Sequence, residues 1–183
     1  MAEFISFDDN VEVNGETVAT IINSFPEYLT GIVIRILKEH GIDNPTSGQW
    51  YSQQLWLNAF KEISDKFGSN TLFEIGKALP SNAKFPSNID SIEKALISID
   101  EAYQINHRGG NIGFYKLVEF NEKLKSAVMH CNNPYPCEFD RGIITAMARK
   151  FRPVDSNFPE ALLDKSKPNR KNGADESWYI VSW

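Results

Sequence analysis

The stretch that decides the fold runs from residue 90 to residue 115 and reads DSIEKALISIDEAYQINHRGGNIGFY. Its first part carries an apolar stripe at helical spacing, made of Ile92, Leu96, Ile99 and Tyr103. This spacing predicts a helix over residues 90–106, capped by Asp90 or Ser91. Two glycines after Arg108 end the helical pattern, and a strand-like pattern follows over residues 112–120. The stretch therefore marks the passage from a helical half of the chain to a sheet.

The segments on either side complete this division. Before the stretch, the apolar spacing predicts helices over residues 27–40, 52–67 and 70–79, with the last of them ended by Pro80. After it, we expect a strand over residues 124–132, a helix over 138–151 and a final strand in the last six residues, WYIVSW. That final strand is apolar on both faces and is expected to be central or well covered. The fold class is α+β: a helical N-terminal half packed on a C-terminal antiparallel sheet with β-β-α-β order.

The first part of the chain allows two interpretations. Residues 4–25 are strand-like, and Asn14-Gly15 between valines is a strong signal for a two-residue hairpin turn. The alternative is a short helix over residues 16–25, because its apolar residues also fit helical spacing.

Composition bounds the class of protein. The chain has 183 residues, a net charge of −5 and 42% hydrophobic residues, which is typical of one globular domain over residues 1–183. The acidic balance and the lack of a long apolar run favour a cytoplasmic protein that binds neither nucleic acid nor a membrane. Cys131 and Cys137 are expected to be free thiols there. The cationic run from Lys165 to Lys171 is typical of a solvated loop.

The first candidate site is the turn HRGGNIGFY, residues 107–115. His107 extends the apolar stripe of the preceding helix by one turn, and the glycines permit close backbone approach. His107 therefore either points into a pocket and contacts a bound molecule, or caps the helix C-terminus together with Arg108.

The second candidate site is HCNNPYPCEFDRG, residues 130–142. Cys137 lies near a predicted helix N-terminus, which lowers the pKa of a thiol. An enzyme would use Cys137 as nucleophile, His130 or His107 as base and Glu138 or Asp140 beside them. The alternative is that Cys137 is a small buried residue that packs the loop.

Two segments resemble a known family. NPYPCEFDRGIITAMARKF (residues 133–151) and RKNGADESWYIVSW (residues 170–183) are similar to the C-terminal half of the 4-vinyl reductase domain, most clearly over residues 85–183. The resemblance implies a small-molecule sensory or regulatory module. Its fold is related to that of haem nitric-oxide/oxygen-binding (H-NOX) sensor domains and of transport-particle subunits.

The resemblance also carries expectations about metal and haem. Zinc-binding members hold the ion with a loop cysteine, which matches Cys137, but their other ligand positions fall on Ser166, Asn169 and Ser177. We therefore expect no zinc. The haem sensors carry a Tyr-x-Ser-x-Arg motif for the propionates, and the corresponding residues here are Tyr135-Pro-Cys-Glu-Phe139. A haem-based gas sensor that uses His107 is thus an alternative that lacks the propionate arginine.

The main hypothesis is a sensory or regulatory protein with an internal, mostly apolar pocket for a small hydrophobic or aromatic ligand, between the helix 90–106 and the hairpin 112–132. A free-standing sensor is expected to signal through a protein partner or as a homodimer. The remaining alternatives are the cysteine-dependent enzyme and a structural assembly subunit with a filled core. The expected ligand-binding residues are His107, Tyr103, Arg108, Trp56, Phe60, Phe114, Tyr115 and Cys137.

Overall fold

The computed structural model of the chain describes residues 3–82, 85 and 88–183. In these ranges, no helix combines the length and the apolar character needed to cross a membrane. The N-terminal half contains four helices and two short strands. In chain order they are β1 (Glu12–Asn14), α1 (Gly15–Asn23), α2 (Glu27–Glu39), β2 (Trp50–Ser52), α3 (Gln53–Phe67) and α4 (Ser69–Asn82).

The C-terminal half is a sheet with two helices against it. Its four long strands pair antiparallel in the order β4-β5-β7-β6, and the short β3 pairs instead with β1. The elements are α5 (Ile92–Asn106), β3 (His107–Arg108), β4 (Phe114–Asn121), β5 (Ser126–Asn132), α6 (Cys137–Lys150), β6 (Glu160–Leu163), a 3₁₀ turn (Arg170–Asn172) and β7 (Glu176–Ser182).

The predicted α+β class is confirmed, and the C-terminal sheet has one strand more than expected. The sequence pattern missed β6, which adds an edge strand and makes the order β-β-α-β-β. β7 lies between β5 and β6, as its apolar pattern predicted, but only one of its faces is covered. Tyr179 and Val181 are buried, whereas Ile180 between them is 47% exposed.

Two local predictions were wrong. Asn14-Gly15 is not a hairpin turn: the Asn14 side chain caps α1 by accepting the N–H of Glu16 at 3.0 Å, so the alternative of a short helix is closer to the structure. A Cβ at Gly15 would collide with the carbonyl oxygen of Thr46, which explains the glycine by close packing. Pro80 does not end α4, because the helix continues through Asn82.

Side chains alternate between the two faces of the sheet, and only those on one face point into the core. On β5, Ala127, Met129 and Cys131 point inward, and the intervening residues point to the outer face. α6 contacts β6 and β7 of the same sheet, and α4 packs on α6. The buried side chains of these elements form one cluster with the inward residues of β5. The core therefore runs from the sheet through α6 into the helical half.

α4 and α6 touch backbone to backbone at a pair of glycines. A Cβ at Gly142 would collide with the carbonyl oxygen of Phe73 and lie 3.0 Å from the Cα of Gly76. A Cβ at Gly76 would in turn collide with the carbonyl oxygen of Phe139. These contacts require glycine in the middle of both helices although glycine weakens an isolated helix.

We expect Gly142→Ala to lower the free energy of unfolding by about 1–3 kcal/mol, because the added methyl group forces the two helices apart. The matched control is Gly31→Ala in α2, where a Cβ meets no atom within 4 Å. That change should raise stability by about 0.5–1 kcal/mol through helix propensity. Urea unfolding gives the free energy of unfolding of both variants. An equal increase in that free energy for the two variants would show that the helices do not touch at Gly142.

Candidate functional site

His107 is the centre of the site. The helix α5 ends at Asn106, and His107 adopts an extended conformation as the first residue of β3, opposite Val13. It therefore does not continue the helix, but its ring turns back over the last turn. Its Nδ1 lies 2.9 Å from the carbonyl oxygen of Tyr103, and its Nε2 lies 2.7 Å from the hydroxyl of Tyr135.

These two bonds fix the chemical state of the imidazole. A carbonyl oxygen can only accept, so Nδ1 of His107 carries the hydrogen and Nε2 accepts from the Tyr135 hydroxyl. Burial lowers the pKa of His107 to about 4, although its bond to the Tyr103 carbonyl opposes that shift. His107 is therefore neutral near pH 7. It bonds to a carbonyl of the last helical turn and faces the interior, and its contact with a bound molecule stays a prediction.

Aromatic rings fill most of the space around this pair. Trp56 stacks on Phe60 with ring centroids 4.9 Å apart, and Phe139 meets Phe60 edge-on at 5.0 Å. Tyr135 lies against Phe139 at 5.2 Å. What remains is a cavity of about 50 Å³ with an almost wholly apolar wall. It is far smaller than the roughly 300–1,000 Å³ typical of pockets for drug-sized ligands.

Four of the eight expected ligand-binding residues line the cavity: Trp56, Tyr103, His107 and Tyr115. They come from α3, α5, β3 and β4, so the structure brings distant parts of the chain together there. The residues that complete the wall come mainly from α1, α5 and α6 and include Ile21, Ile99, Ala102, Asn106, Tyr135 and Ile143.

The other four expected residues lie elsewhere. Phe60 is buried beneath Trp56 but is not part of the wall. Phe114 lies on the outer face of the sheet, edge-on to His130, because strand alternation sends Tyr115 inward and its neighbour outward. Arg108 turns away to Glu12, 2.6 Å from its Nε, and lies over the ring of Trp50.

Cys137 is buried on another side of the core, where the proposed catalytic residues do not converge. Its sulfur lies 3.2 Å from the hydroxyl of Ser177, and burial raises the pKa of the thiol. His130 lies on the outer face of the sheet, 2.6 Å from a carboxylate oxygen of Glu176. Glu138 accepts from Arg141 and Lys171. This arrangement holds no activated nucleophile.

Across the described ranges, no three His, Cys, Asp or Glu side chains cluster closely enough to hold a metal ion.

Sequence reasoning missed a buried ion pair next to the site. Arg170 is fully buried, although the run Lys165–Lys171 was expected to be a solvated loop. Its guanidinium pairs with the buried carboxylate of Asp140 and donates to the carbonyl oxygens of Cys131 and Asn133, both at 3.1 Å. Burial opposes the charge on Arg170, but the Asp140 carboxylate, together with the neighbouring Tyr179 and the two cysteines, outweighs this and raises the pKa of the guanidinium. Nothing in the local pattern separates Arg170 from the lysines around it.

The same carboxylate joins the ion pair to the cavity wall. Asp140 accepts the hydroxyl of Tyr115 at 2.6 Å and the side-chain amide of Asn133 at 3.3 Å. Asn133 in turn accepts the backbone N–H of Tyr135 at 2.9 Å. Two of the tyrosines beside His107 are therefore held, directly or through Asn133, by Asp140.

The fold resembles that of solved H-NOX structures. Most of the chain aligns with a doubly substituted Tt H-NOX protein at 15% identity and a TM-score of 0.64, covering 93% of this chain and 94% of that one. The chain has an H-NOX-like fold. An H-NOX protein from S. oneidensis aligns at 12% identity and a TM-score of 0.65, covering 92% and 95%.

A third H-NOX structure, an oxygen-binding domain related to soluble guanylate cyclases, aligns at 16% identity and a TM-score of 0.63, covering 92% and 94%. No protein-family model and no curated protein matches the chain. The H-NOX-like relation expected from the sequence is thus confirmed for the fold, whereas membership of the 4-vinyl reductase family stays a prediction.

We expect acid to destabilise the fold through His107. The unfolded chain binds a proton there with a pKa near 6.5 and the folded protein only near 4. The unfolded state therefore holds more protons as the pH falls from about 6.5 to about 4, and about 3 kcal/mol of stability is lost over that window. His107→Gln cannot titrate and should show a flatter pH dependence in urea unfolding. Identical slopes for the two proteins would contradict a buried, neutral His107.

We expect Arg170→Met to cost about 3–5 kcal/mol of unfolding free energy, because it leaves the Asp140 carboxylate buried without a countercharge. Adding Asp140→Asn should recover part of that loss. The matched control is Lys171→Met, which removes the next cation along the chain. Lys171 is 44% exposed in its side chain and pairs with Glu138 at 2.6 Å, so its loss should cost less than about 1 kcal/mol. Similar costs for the two single changes would show that the buried pair has no special role.

Proposed function

We propose that this chain is a sensory or regulatory domain that binds a small, uncharged, mostly apolar molecule in the cavity beside His107, and that it does so without haem. The observation that carries the proposal is this cavity, which has an apolar wall and a neutral imidazole within it. An internal apolar cavity with a few fixed polar groups is the usual form of a small-molecule site.

The fold supports the sensory class. The H-NOX structures cover nearly the whole chain, and one of them is described as an oxygen complex. Others concern haem distortion and haem redox potential. The oxygen and the haem are ligands of the H-NOX proteins themselves. For this chain, the likeness supports a domain built to enclose a small molecule between a helical half and a sheet.

The residues around His107 do not fit haem. The Nε2 atom that would bind iron accepts a hydrogen bond from Tyr135, and both partners are buried. Phe139 stands where the resemblance places the propionate-binding arginine, and its ring is packed against Phe60 and Tyr135. A cavity of about 50 Å³ is also too small for a macrocycle.

The same volume sets the size of the ligand. A water molecule needs about 10–15 Å³ of such volume, so the cavity of about 50 Å³ has room for a molecule of a few non-hydrogen atoms. The aromatic ligand considered from the sequence would require Trp56, Phe139 or Tyr135 to move. We therefore favour a small aliphatic compound.

The position of the cavity also offers a route for regulation. Its wall includes Ile21 of α1 and Trp56 of α3 from the helical half, together with Tyr115 of β4 and Ile143 of α6 from the other half. A molecule in the cavity contacts both halves and can favour one arrangement of them over another. The homodimer and the protein partner that would read this arrangement stay predictions.

We expect a neutral compound of a few non-hydrogen atoms, with isobutene as the first probe, to bind saturably in NMR titrations of ¹⁵N-labelled protein in sealed tubes. The shifts should concentrate on α3, α5 and α6, and the dissociation constant should be in the millimolar range typical of so small a ligand. The absorption spectrum of the same protein, expressed with a haem precursor, should carry no Soret band.

The matched variants lie on one helix. Ala102→Leu adds three carbons at the cavity wall and should abolish the titration, whereas Ile97→Leu changes a residue that is 45% exposed and should leave it unchanged. Shifts of equal size in both variants would place the ligand elsewhere, and no saturable shift in the wild-type protein would refute the proposed function. A haem spectrum with His107 as iron ligand would refute the haem-free mode of binding.

A further inference from the structure

The outer face of the C-terminal sheet carries a row of apolar side chains. In the register of the sheet, Ile180 of β7 lies between Val128 of β5 and Leu162 of β6. Ile180 and Leu162 are each about half exposed, and Val118, at the bulge of the neighbouring β4, is exposed as well. An exposed and contiguous apolar patch on a protein surface is typical of an interaction site.

Aromatic side chains continue this patch along the strands. Two residues away from the aliphatic row, the rings of Trp178 and His130 stack with their centroids 4.0 Å apart. Phe114 of β4 meets the ring of His130 edge-on at 5.2 Å. These three side chains are only partly buried. The patch therefore extends over all four strands and combines aliphatic with aromatic groups, as the centres of protein interfaces do.

The two edges of the sheet are occupied by side chains of the neighbouring helices. At β4, the carboxylate of Asp100 on α5 accepts the backbone N–H of Tyr115 at 2.8 Å, and a bulge interrupts the strand further on. At β6, the hydroxyl of Thr145 on α6 accepts the backbone N–H of Ala161 at 3.1 Å. Such bonds and bulges disfavour the pairing of an edge strand with another chain. A partner of this sheet therefore docks on its open face.

The size of the face fits a second copy of the chain. Its strands have eight, seven, seven and four residues. With strands about 4.8 Å apart and a rise of about 3.4 Å per residue, they cover a flat area of about 420 Å². Because side chains stand out from this plane in both copies, a pair of sheets buries on the order of 1,000 Å² of accessible surface, the lower end for specific interfaces. An interface of this size is typical of reversible association.

The charges around the patch also permit self-association. The exposed residues Lys116 and Glu119 lie on β4 and the exposed Glu160 lies on β6, so neither sign dominates the face. A face of a single sign would repel its own copy, and a docking site for an anionic membrane would need a cluster of cations. Two copies related by a twofold axis present the same mixed surface to each other.

We propose that the outer face of the sheet is the interface of a homodimer, in which two copies pack sheet against sheet around a twofold axis near Ile180. Ile180 is at the centre of the patch, because its neighbours on both adjacent strands are apolar. Facing sheets pack about 10 Å apart, so the aliphatic row of one copy contacts that of the other. The interface is separate from the cavity beside His107 and does not depend on a ligand there.

Sedimentation velocity of the full chain over a micromolar concentration series tests this interface. We expect a monomer–dimer equilibrium with a micromolar dissociation constant. Ile180→Lys should weaken dimerisation at least about tenfold, because it buries an unpaired ammonium group at the centre of the interface. The matched control is Ile97→Lys, which changes a similarly exposed isoleucine on α5 and should leave the dissociation constant unchanged.

A mixture of two variants separates loss of the interface from loss of the fold. Ile180→Lys and Ile180→Glu should each be monomeric, with the circular dichroism spectrum of the wild-type chain. Mixed in equal amounts, they should dimerise, because opposite charges then meet at the twofold axis. A mixture that stays monomeric while the wild-type chain dimerises would show that residue 180 does not face its counterpart, and the twofold arrangement would be wrong.

Three other results would overturn the proposal. The first is a wild-type chain that stays monomeric throughout the concentration series. The second is a dimer that Ile180→Lys and Ile97→Lys weaken equally, because the contact would then lie elsewhere. The third is a monomer that binds neutral phosphatidylcholine vesicles and loses this binding in Ile180→Lys, which would assign the face to a lipid surface instead.

Discussion

The buried ion pair between Arg170 and Asp140 is the constraint on which the rest of the structure depends. Both side chains are fully buried, and each buried charge would strongly destabilise the fold if the opposite charge were absent. From this pair, a chain of hydrogen bonds reaches the candidate site: Asp140 holds Asn133, Asn133 holds the backbone of Tyr135, and the Tyr135 hydroxyl donates to His107. The position of the imidazole therefore follows from a charge pair in another part of the core. A ligand that touches one end of such a network has a physical means to change the other end.

The fold and the site lead to different conclusions about chemistry. The backbone has the arrangement of H-NOX domains over nearly the full length. In this chain, the rings of Tyr103 and Tyr135 lie against His107, and its Nε2 already accepts from the Tyr135 hydroxyl. The function of this chain must therefore be argued from its side chains and not from the fold alone.

The sequence by itself determined the elements whose pattern is local. The stripe of α5, a cap at Asp90 or Ser91, the pairing of β4 with β5 and the central place of β7 all follow from spacing and from side-chain chemistry within a few residues. Such patterns predicted the α+β class and placed His107 at the boundary of its two halves. They also identified Trp56, Tyr103 and Tyr115 as residues of the interior.

Only the tertiary structure decided the features that depend on distant partners. Arg170 is buried because Asp140 lies opposite it, and Gly15 packs closely against Thr46 from a distant part of the chain. The size of the cavity and the outward direction of Phe114 likewise depend on how separate elements meet. Local periodicity carries no information about these contacts, because the free energy that fixes them comes from residues far away in the chain.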